Sequence, residues 1–242
     1  MSAEAAALRT LVTDAVADAE LLAHLSLLAD AGLPMFVSGP SRAITARVAD
    51  AIALASPVPG ASQGGREIVI ERGHRFEWLA DPTGIGCMDP LAGSAPRSPR
   101  SSRLRIRGLL SELDPPTART ALRALSRGFP AIAEASAPDL ASLLEQLRRD
   151  PHRVPGSDLR RLGLVALFDA SRLSAAHLLH AGEAGERRAP TLLSTWDERT
   201  QRWDDFAWAA VPEIAQRCGV AQPEYEARLQ ARLAILREGG RR

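Results

Sequence analysis

The segment with the clearest chemical potential runs from Leu33 to Val48, where an apolar stretch, a glycine and a helical pattern follow one another. A buried strand, a tight turn and a helix start form the order in which a phosphate-binding loop presents backbone N–H groups. Its consensus, G-x-x-x-x-G-K-[ST], also needs a second glycine, a lysine and a hydroxyl. Gly39 supplies only the first glycine. The segment therefore has the frame of a nucleotide site without its charged groups.

Three residues replace the chemistry of that consensus. Ile44 stands at the second glycine, Thr45 at the lysine and Ala46 at the hydroxyl that would hold Mg²⁺. The chain contains no lysine, so none can substitute. Losing one donor of this kind typically costs roughly a hundred- to a thousand-fold in rate, and we predict negligible ATP hydrolysis by this chain alone. The residues left to contact a phosphate are Gly39, Pro40, Ser41, Arg42 and Thr45.

Composition narrows the class of protein. At 242 residues and 45% hydrophobic content, the chain can bury a full core. Its net charge of +1 gives no electrostatic reason to expect nucleic acid or an anionic membrane as a partner. The chain has only two cysteines, and it shows neither a basic-then-apolar leader pattern nor an apolar run of membrane-spanning length. These features predict a cytoplasmic protein without membrane insertion.

The hydrophobic pattern predicts the elements that would position the turn at Gly39. Predicted helices cover 3–31 (one helix or a pair), 41–55, 115–126, 139–149, 211–217 and 224–237. Predicted strands cover 35–37, 66–71, 75–79, 104–113, 129–135, 162–168, 173–180 and 190–195. Strand, helix, strand at this spacing indicates a parallel sheet covered by helices. The polar turn between Trp196 and Trp203 predicts an antiparallel hairpin.

Residues 89–103, rich in proline, serine and arginine, predict a surface loop. We predict no metal site. His177 and His180 are three residues apart, so one strand cannot present both on the same face, and no third ligand lies nearby. Cys87 has no apparent catalytic neighbour and is interpreted as structural.

Several passages resemble the motor domain of the type II/type IV secretion and pilus ATPases, especially the archaeal-type and Tad-like branch. REIVIERGHRFEWL (66–79) is similar to the acidic box R-x-V-T-I-E-D-x-x-E-L of that family, with Glu71 at its first glutamate. Residues 110–137 follow the spacing of the Walker B passage, and Glu112 takes the place of its glutamate. Phe129 and Ser136 stand where the family has histidines.

The C-terminal third resembles the same family. LLSTWDERTQRWDDF (192–206) is similar to its L-F-x-W-D-x-x-T-D-x-F hairpin, and residues 211–236 are similar to its terminal helix pair. The resemblance implies a RecA-like P-loop NTPase fold: an α/β core over 1–170 with a central, mostly parallel sheet, then antiparallel strands and helices of the same motor domain over 171–242. It also implies that Glu112 is a vestigial Walker B acid and Glu71 a vestigial acidic-box residue.

Together these features predict a catalytically degenerate motor ATPase that serves as a structural or regulatory subunit. The implied partner is an intact secretion or pilus ATPase paralogue or another component of the secretion machine, and no cofactor is predicted. Two alternatives stay open at the level of sequence. One is a slow or unconventional ATPase that binds ATP and Mg²⁺, and the other is a standalone interaction module.

Overall fold

A continuous sheet of eight strands organises the residues that the structure describes. The structure is a computed structural model that describes residues 3–56, 58, 66–76, 102–159, 161–180 and 188–237. The strands are β1 (Met35–Ser38), β2 (Arg66–Ile70), β3 (Ser102–Ile106), β4 (Ala131–Ala135), β5 (Leu164–Phe168), β6 (Leu173–Leu178), β7 (Thr191–Asp197) and β8 (Arg202–Asp205). Their order is β2-β3-β4-β1-β5-β6-β7-β8.

The first five strands pair in parallel, and β6, β7 and β8 extend the same sheet in antiparallel pairing. The helices are α1 (Ala3–Thr13), α2 (Ala19–Asp30), α3 (Arg42–Ala55), α4 (Pro115–Ser126), α5 (Leu140–Arg148), α6 (Gly156–Leu159), α7 (Val211–Arg217) and α8 (Gln222–Arg237). The prediction of a mixed α/β protein with a mostly parallel sheet, added antiparallel strands and a terminal helix pair is therefore confirmed.

Strand β1 lies inside the sheet and is buried on both faces, as parallel strands between helices are. Met35 and Val37 pack into an apolar cluster with α1, α2, α3, α7 and α8. Phe36 points to the other face and joins a cluster with α4 and α5. Because the two faces alternate along the strand, the short apolar run of β1 anchors both helical layers.

Helix starts follow local capping chemistry. Asp114 precedes α4, and its carboxylate accepts from the N–H of Thr117, with Pro115 at the first helical position. Asp139 caps α5 in the same way through the N–H of Ser142. Both starts match the predicted ones to within a residue.

The predicted strand 104–113 is wrong over its second half. Strand β3 ends at Ile106, and Gly108, with φ of +58°, turns the chain. The N–H groups of Ser111, Glu112 and Leu113 then all point to the carbonyl of Gly108. An apolar pattern favoured an extended chain here, and the left-handed glycine overrides it.

The predicted hairpin is confirmed, with Trp196 and Trp203 directly opposite each other and their ring centroids 4.7 Å apart. The predicted strand 75–79 lies partly outside the described residues, as do Cys87, most of the loop 89–103 and the end of the chain from 238. Within the part of the chain that is described, no helix combines the length and apolar character needed to cross a bilayer.

Candidate functional site

The candidate site is a crevice at the carboxyl ends of the parallel strands. After β1 the chain leads to β2 on one side, whereas after β4 it leads to β5 on the other side of β1. Ligands of open α/β sheets bind where the direction reverses in this way. The crevice lies at that point and is lined by Gly39, Pro40, Arg42, Thr45, Gly108, Ser111, Glu112, Glu134, Ala135 and Ser136. The fold thus brings together most of the site residues predicted from the sequence.

Gly39 is required by its neighbours in the sheet. A Cβ at this position would lie 2.5 Å from the carbonyl oxygen of Phe168 at the end of β5. The N–H of Gly39 donates to the carbonyl of Ala135, 3.2 Å away, and the hydroxyl of Ser38 donates to the carbonyl of Ala137 at 2.7 Å. The turn is therefore fastened between β4 and β5, and the amide of Gly39 is not free for a ligand.

Helix α3 begins directly after this turn. Ser41 occupies the N-cap position, but its side chain makes no capping hydrogen bond. Thr45 is buried, and its hydroxyl donates to the carbonyl of Arg42 at 3.1 Å. The hydroxyl of Thr45, the residue predicted from the sequence to stand at the lysine of the P-loop consensus, therefore forms its hydrogen bond within the helix.

An ion pair spans the crevice between α3 and the turn after β3. Arg42 contacts Glu112 through Nη1 and Oε1, with 73% of the arginine side chain and 37% of the glutamate side chain exposed. Glu112 does not lie on a strand, because it follows the turn at Gly108. A Cβ on Gly108 would lie 2.6 Å from Cδ of Glu112, so only glycine allows this packing. Glu112, predicted to be a vestigial Walker B acid, is thus paired with Arg42 at the start of α3.

A second, buried pair lies behind the crevice and was missed in the sequence. Arg105 on β3 is 1% exposed, and its Nη2 lies 2.6 Å from Oε1 of Glu134 on β4. The same nitrogen donates to Asp50 of α3 at 2.8 Å. Burial raises the pKa of Glu134, and the charge of Arg105 opposes that rise. The available signal was the alternation R-L-R-I-R at 103–107, which places the arginines on one face of a strand.

Arg103, on the same face of β3 as Arg105, contacts the C-terminal end of α3. Its guanidinium donates to the carbonyls of Ser56, at 2.5 Å, and Ala53, at 2.9 Å, at the end of α3. It also pairs with Glu67 on β2. Cations at a helix C-terminus satisfy carbonyls that lack helical partners and favour the helix dipole. The two buried arginines therefore clamp α3 onto the sheet.

The crevice is small. Its volume is about 60 Å³, whereas small-molecule sites commonly have about 300–1,000 Å³. Within the described residues, no cluster of three or more acidic, histidine or cysteine side chains has the geometry of a metal site. Between the described residues, the crevice is therefore smaller than the usual small-molecule site.

The chain matches no protein-family model and no curated protein sequence. The resemblance to motor ATPases therefore rests on the motifs described above and stays a prediction.

Glu71 lies apart from the other predicted site residues. It follows β2, the edge strand, and it is exposed. Strands β3 and β4 separate β2 from β1, which places the two strands roughly 14 Å apart at ordinary strand spacing. Glu71 is not among the residues that line the crevice. The geometry groups Glu112 with the loop after β1 and leaves Glu71 at the periphery.

Proposed function

We propose that this protein is a catalytically degenerate member of the secretion and pilus motor ATPases, with a RecA-like fold. It acts as a structural or regulatory subunit beside an active ATPase of a type II/type IV secretion or Tad-like pilus system. The single observation that carries the proposal is the crevice at the carboxyl ends of β1, β3 and β4. It occupies the position expected for a nucleotide, and Arg42 and Glu112 pair across it.

The chemistry of the crevice supports a role without turnover. Phosphoryl transfer depends on fixed positive charge at the β- and γ-phosphates and on a positioned nucleophile. Arg42 begins α3, and its guanidinium is paired with the carboxylate of Glu112. Thr45 has no charge, and its hydroxyl bonds to the helix backbone. These residues hold α3 and the turn after β3 together instead of presenting charge to a phosphate.

An exposed apolar surface supports a protein partner. Trp208, in the 3₁₀ turn before α7, is 71% exposed, and Phe206 beside it is 39% exposed. Exposed aromatic residues are enriched at protein interfaces, where tryptophan is a frequent hot spot. Asp204 and Asp205 directly precede this pair in the chain. A partner that contacts Trp208 would therefore meet both apolar and acidic groups.

The test is co-expression with an intact motor ATPase paralogue encoded in the same genome. We expect a hetero-oligomer on size exclusion with light scattering, and a change in the turnover of the partner. Trp208→Ala should weaken co-purification, whereas Leu54→Ala, which truncates an exposed apolar residue on α3, should not. Failure of every such paralogue to bind, with no effect on its ATPase rate, would refute the proposal.

A further inference from the structure

A second pocket lies at the amino ends of the parallel strands, whereas the crevice lies at their carboxyl ends. It has a volume of about 450 Å³, which falls in the range of about 300–1,000 Å³ typical of small-molecule sites. Strand β5 ends at Phe168 beside Gly39, and it begins at Leu164 on the opposite edge. Leu179, which lines the pocket, follows β6 at that edge, where its N–H donates to the carbonyl of Gly163 at 2.7 Å.

The inner wall of this pocket is apolar. Leu144 of α5, Leu159 of α6, Leu179 and Pro190 line it. Leu159 and Leu179 are almost fully buried and belong to the apolar cluster under α4 and α5. The wall is therefore part of the protein core and can receive an alkyl or aryl group.

Two arginines lie on the lining of the same pocket. Among the described residues, Arg148 at the end of α5 has no ionic partner, and Arg188 reaches only Glu213, at 3.5 Å. No acidic side chain is among the described lining residues. In the described part of the chain, the pocket therefore joins an apolar wall to one arginine without an ionic partner and one with a single, longer ion pair.

His180 on the rim is already committed. Its Nδ1 lies 2.7 Å from Oε1 of Glu213, and its Nε2 lies 2.7 Å from the hydroxyl of Thr191. Arg217 also donates to Glu213, at 2.6 Å. Because both ring nitrogens have partners, His180 forms a fixed part of the wall, and the arginines are the groups available to a ligand.

In another pocket of similar size, both lining arginines form ion pairs with acidic side chains. It has about 420 Å³ and lies between α1, α2 and α8, with Arg228 and Arg232 in its lining. Arg228 pairs with Glu224 at 2.5 Å, and Arg232 pairs with Asp30 at 2.7 Å. Volume and apolar lining are common to both pockets. Among the described residues, the first differs in having Arg148, which has no ionic partner, and Arg188, whose contact with Glu213 is longer.

We propose that the first pocket, which we call the arginine pocket after Arg148 and Arg188, binds a small amphipathic anion. The apolar body of the ligand packs against Leu144, Leu159 and Leu179. Its carboxylate or phosphate head group contacts the guanidinium groups, whose fork geometry suits either anion. This inference is independent of the motor-ATPase proposal, because the pocket is at the other edge of the sheet.

Isothermal titration of the full chain with sodium octanoate, octyl phosphate and neutral octanol tests this proposal. We expect saturable binding of at least one anion, with a dissociation constant on the order of 0.1 mM for a ligand of this size, and weaker binding of octanol. Preference for octanoate or for octyl phosphate identifies the head group. Arg148→Gln should weaken anion binding by about tenfold, the value of one charge-assisted hydrogen bond, and leave octanol binding unchanged.

Arg149→Gln is the matched control, because Arg149 is the next residue, is exposed and pairs with Glu145 at 2.6 Å. It should retain wild-type affinity for both anions. Leu144→Glu, which adds negative charge to the wall, should lower anion affinity while circular dichroism shows an unchanged fold. The proposal is overturned by an absence of saturable binding up to about 10 mM. Equal affinity for octanol and the anions, or equal loss in Arg148→Gln and Arg149→Gln, would also overturn it.

Discussion

Arg105 and Glu134 face each other across β3 and β4 with 2.6 Å between Nη2 and Oε1, and both side chains are almost completely buried. Within the described residues, neither Oε1 of Glu134 nor Nη1 of Arg105 has a hydrogen bond of good geometry. The attraction between the two side chains is therefore mainly that of their opposite charges. Taking two charges out of water is costly, and the attraction between them largely offsets that cost. Removal of one member alone should therefore lower the stability of the fold more than replacement of both members by apolar residues.

Arg105→Leu should destabilise the protein by about 3–5 kcal/mol, because it leaves Glu134 buried without its counter-charge. The double variant Arg105→Leu/Glu134→Leu should lose much less, since neither charge then remains buried. Urea denaturation of both variants gives the comparison. A double variant that is as unstable as the single one would mean that the pair itself stabilises the fold.

Arg42 and Glu112 form an ion pair that is exposed to solvent, in contrast to the buried pair of Arg105 and Glu134. Their side chains are largely or partly solvated, and such pairs contribute about 0–1 kcal/mol. We expect Arg42→Ala and Glu112→Ala each to change the free energy of unfolding by less than about 1 kcal/mol. A loss comparable to that of Arg105→Leu would show that the crevice pair holds α3 in place more strongly than its exposure implies.

Local secondary structure could be predicted from the sequence, whereas the burial of Arg105 and Glu134 could not. The strand, turn and helix around Gly39, the starts of the helices near residues 115 and 139, and the hairpin at Trp196 follow from local patterns, and the sequence predicts each of them. Arg105 escaped notice because arginine is seldom fully buried unless it is paired, and its partners come from β4 and α3. Only the sheet order, which no local pattern encodes, brings them together.

The same reasoning explains the outcome at Gly39. Its position in a degenerate consensus indicated phosphate binding, whereas the observed constraint is the carbonyl of Phe168, contributed by a strand more than a hundred residues later. Close approach between strands and a phosphate-binding turn both select glycine. The residue type alone could not distinguish them.

Gly39→Ala should therefore destabilise the protein whether or not nucleotide is present. The new Cβ would lie 2.5 Å from a backbone oxygen that cannot move without distorting β5, and overpacking of this kind costs about 1–3 kcal/mol or more. Gly156→Ala is the control, because a Cβ there meets nothing within 4 Å. If Gly39→Ala melts at the wild-type temperature, the packing role of Gly39 is wrong.

A buried histidine predicts how stability depends on pH. His24 of α2 shares a hydrogen bond of 2.6 Å with the hydroxyl of Tyr225 on α8. Burial lowers the pKa of His24 to about 4, against about 6.5 in an unfolded chain. Between these values the unfolded state binds the extra proton, so acidification favours unfolding. The contribution of His24 is complete above about pH 6.5 and is lost as the pH falls towards 4.

We expect a loss of roughly 3 kcal/mol from His24 over that interval. The measurement is urea denaturation from pH 7 to pH 4 for the wild type and for His24→Gln, whose slope should be flatter. Burial also lowers the pKa of His177, which is less buried. His177→Gln therefore serves as the control and should change the slope less. Parallel curves for the wild type and His24→Gln would contradict the assignment.

Turnover of Mg-ATP by the purified chain should not exceed background. The hydroxyl of Thr45 bonds to the carbonyl of Arg42, the arginine is neutralised by Glu112, and the crevice measures about 60 Å³. A steady-state assay checks this, and titration with a fluorescent ATP analogue should show no micromolar binding. Glu112→Gln separates a trace contaminant from true activity, because only activity of this chain would respond to it. Turnover that disappears in Glu112→Gln would make the protein a slow ATPase and would remove the basis for a non-catalytic subunit.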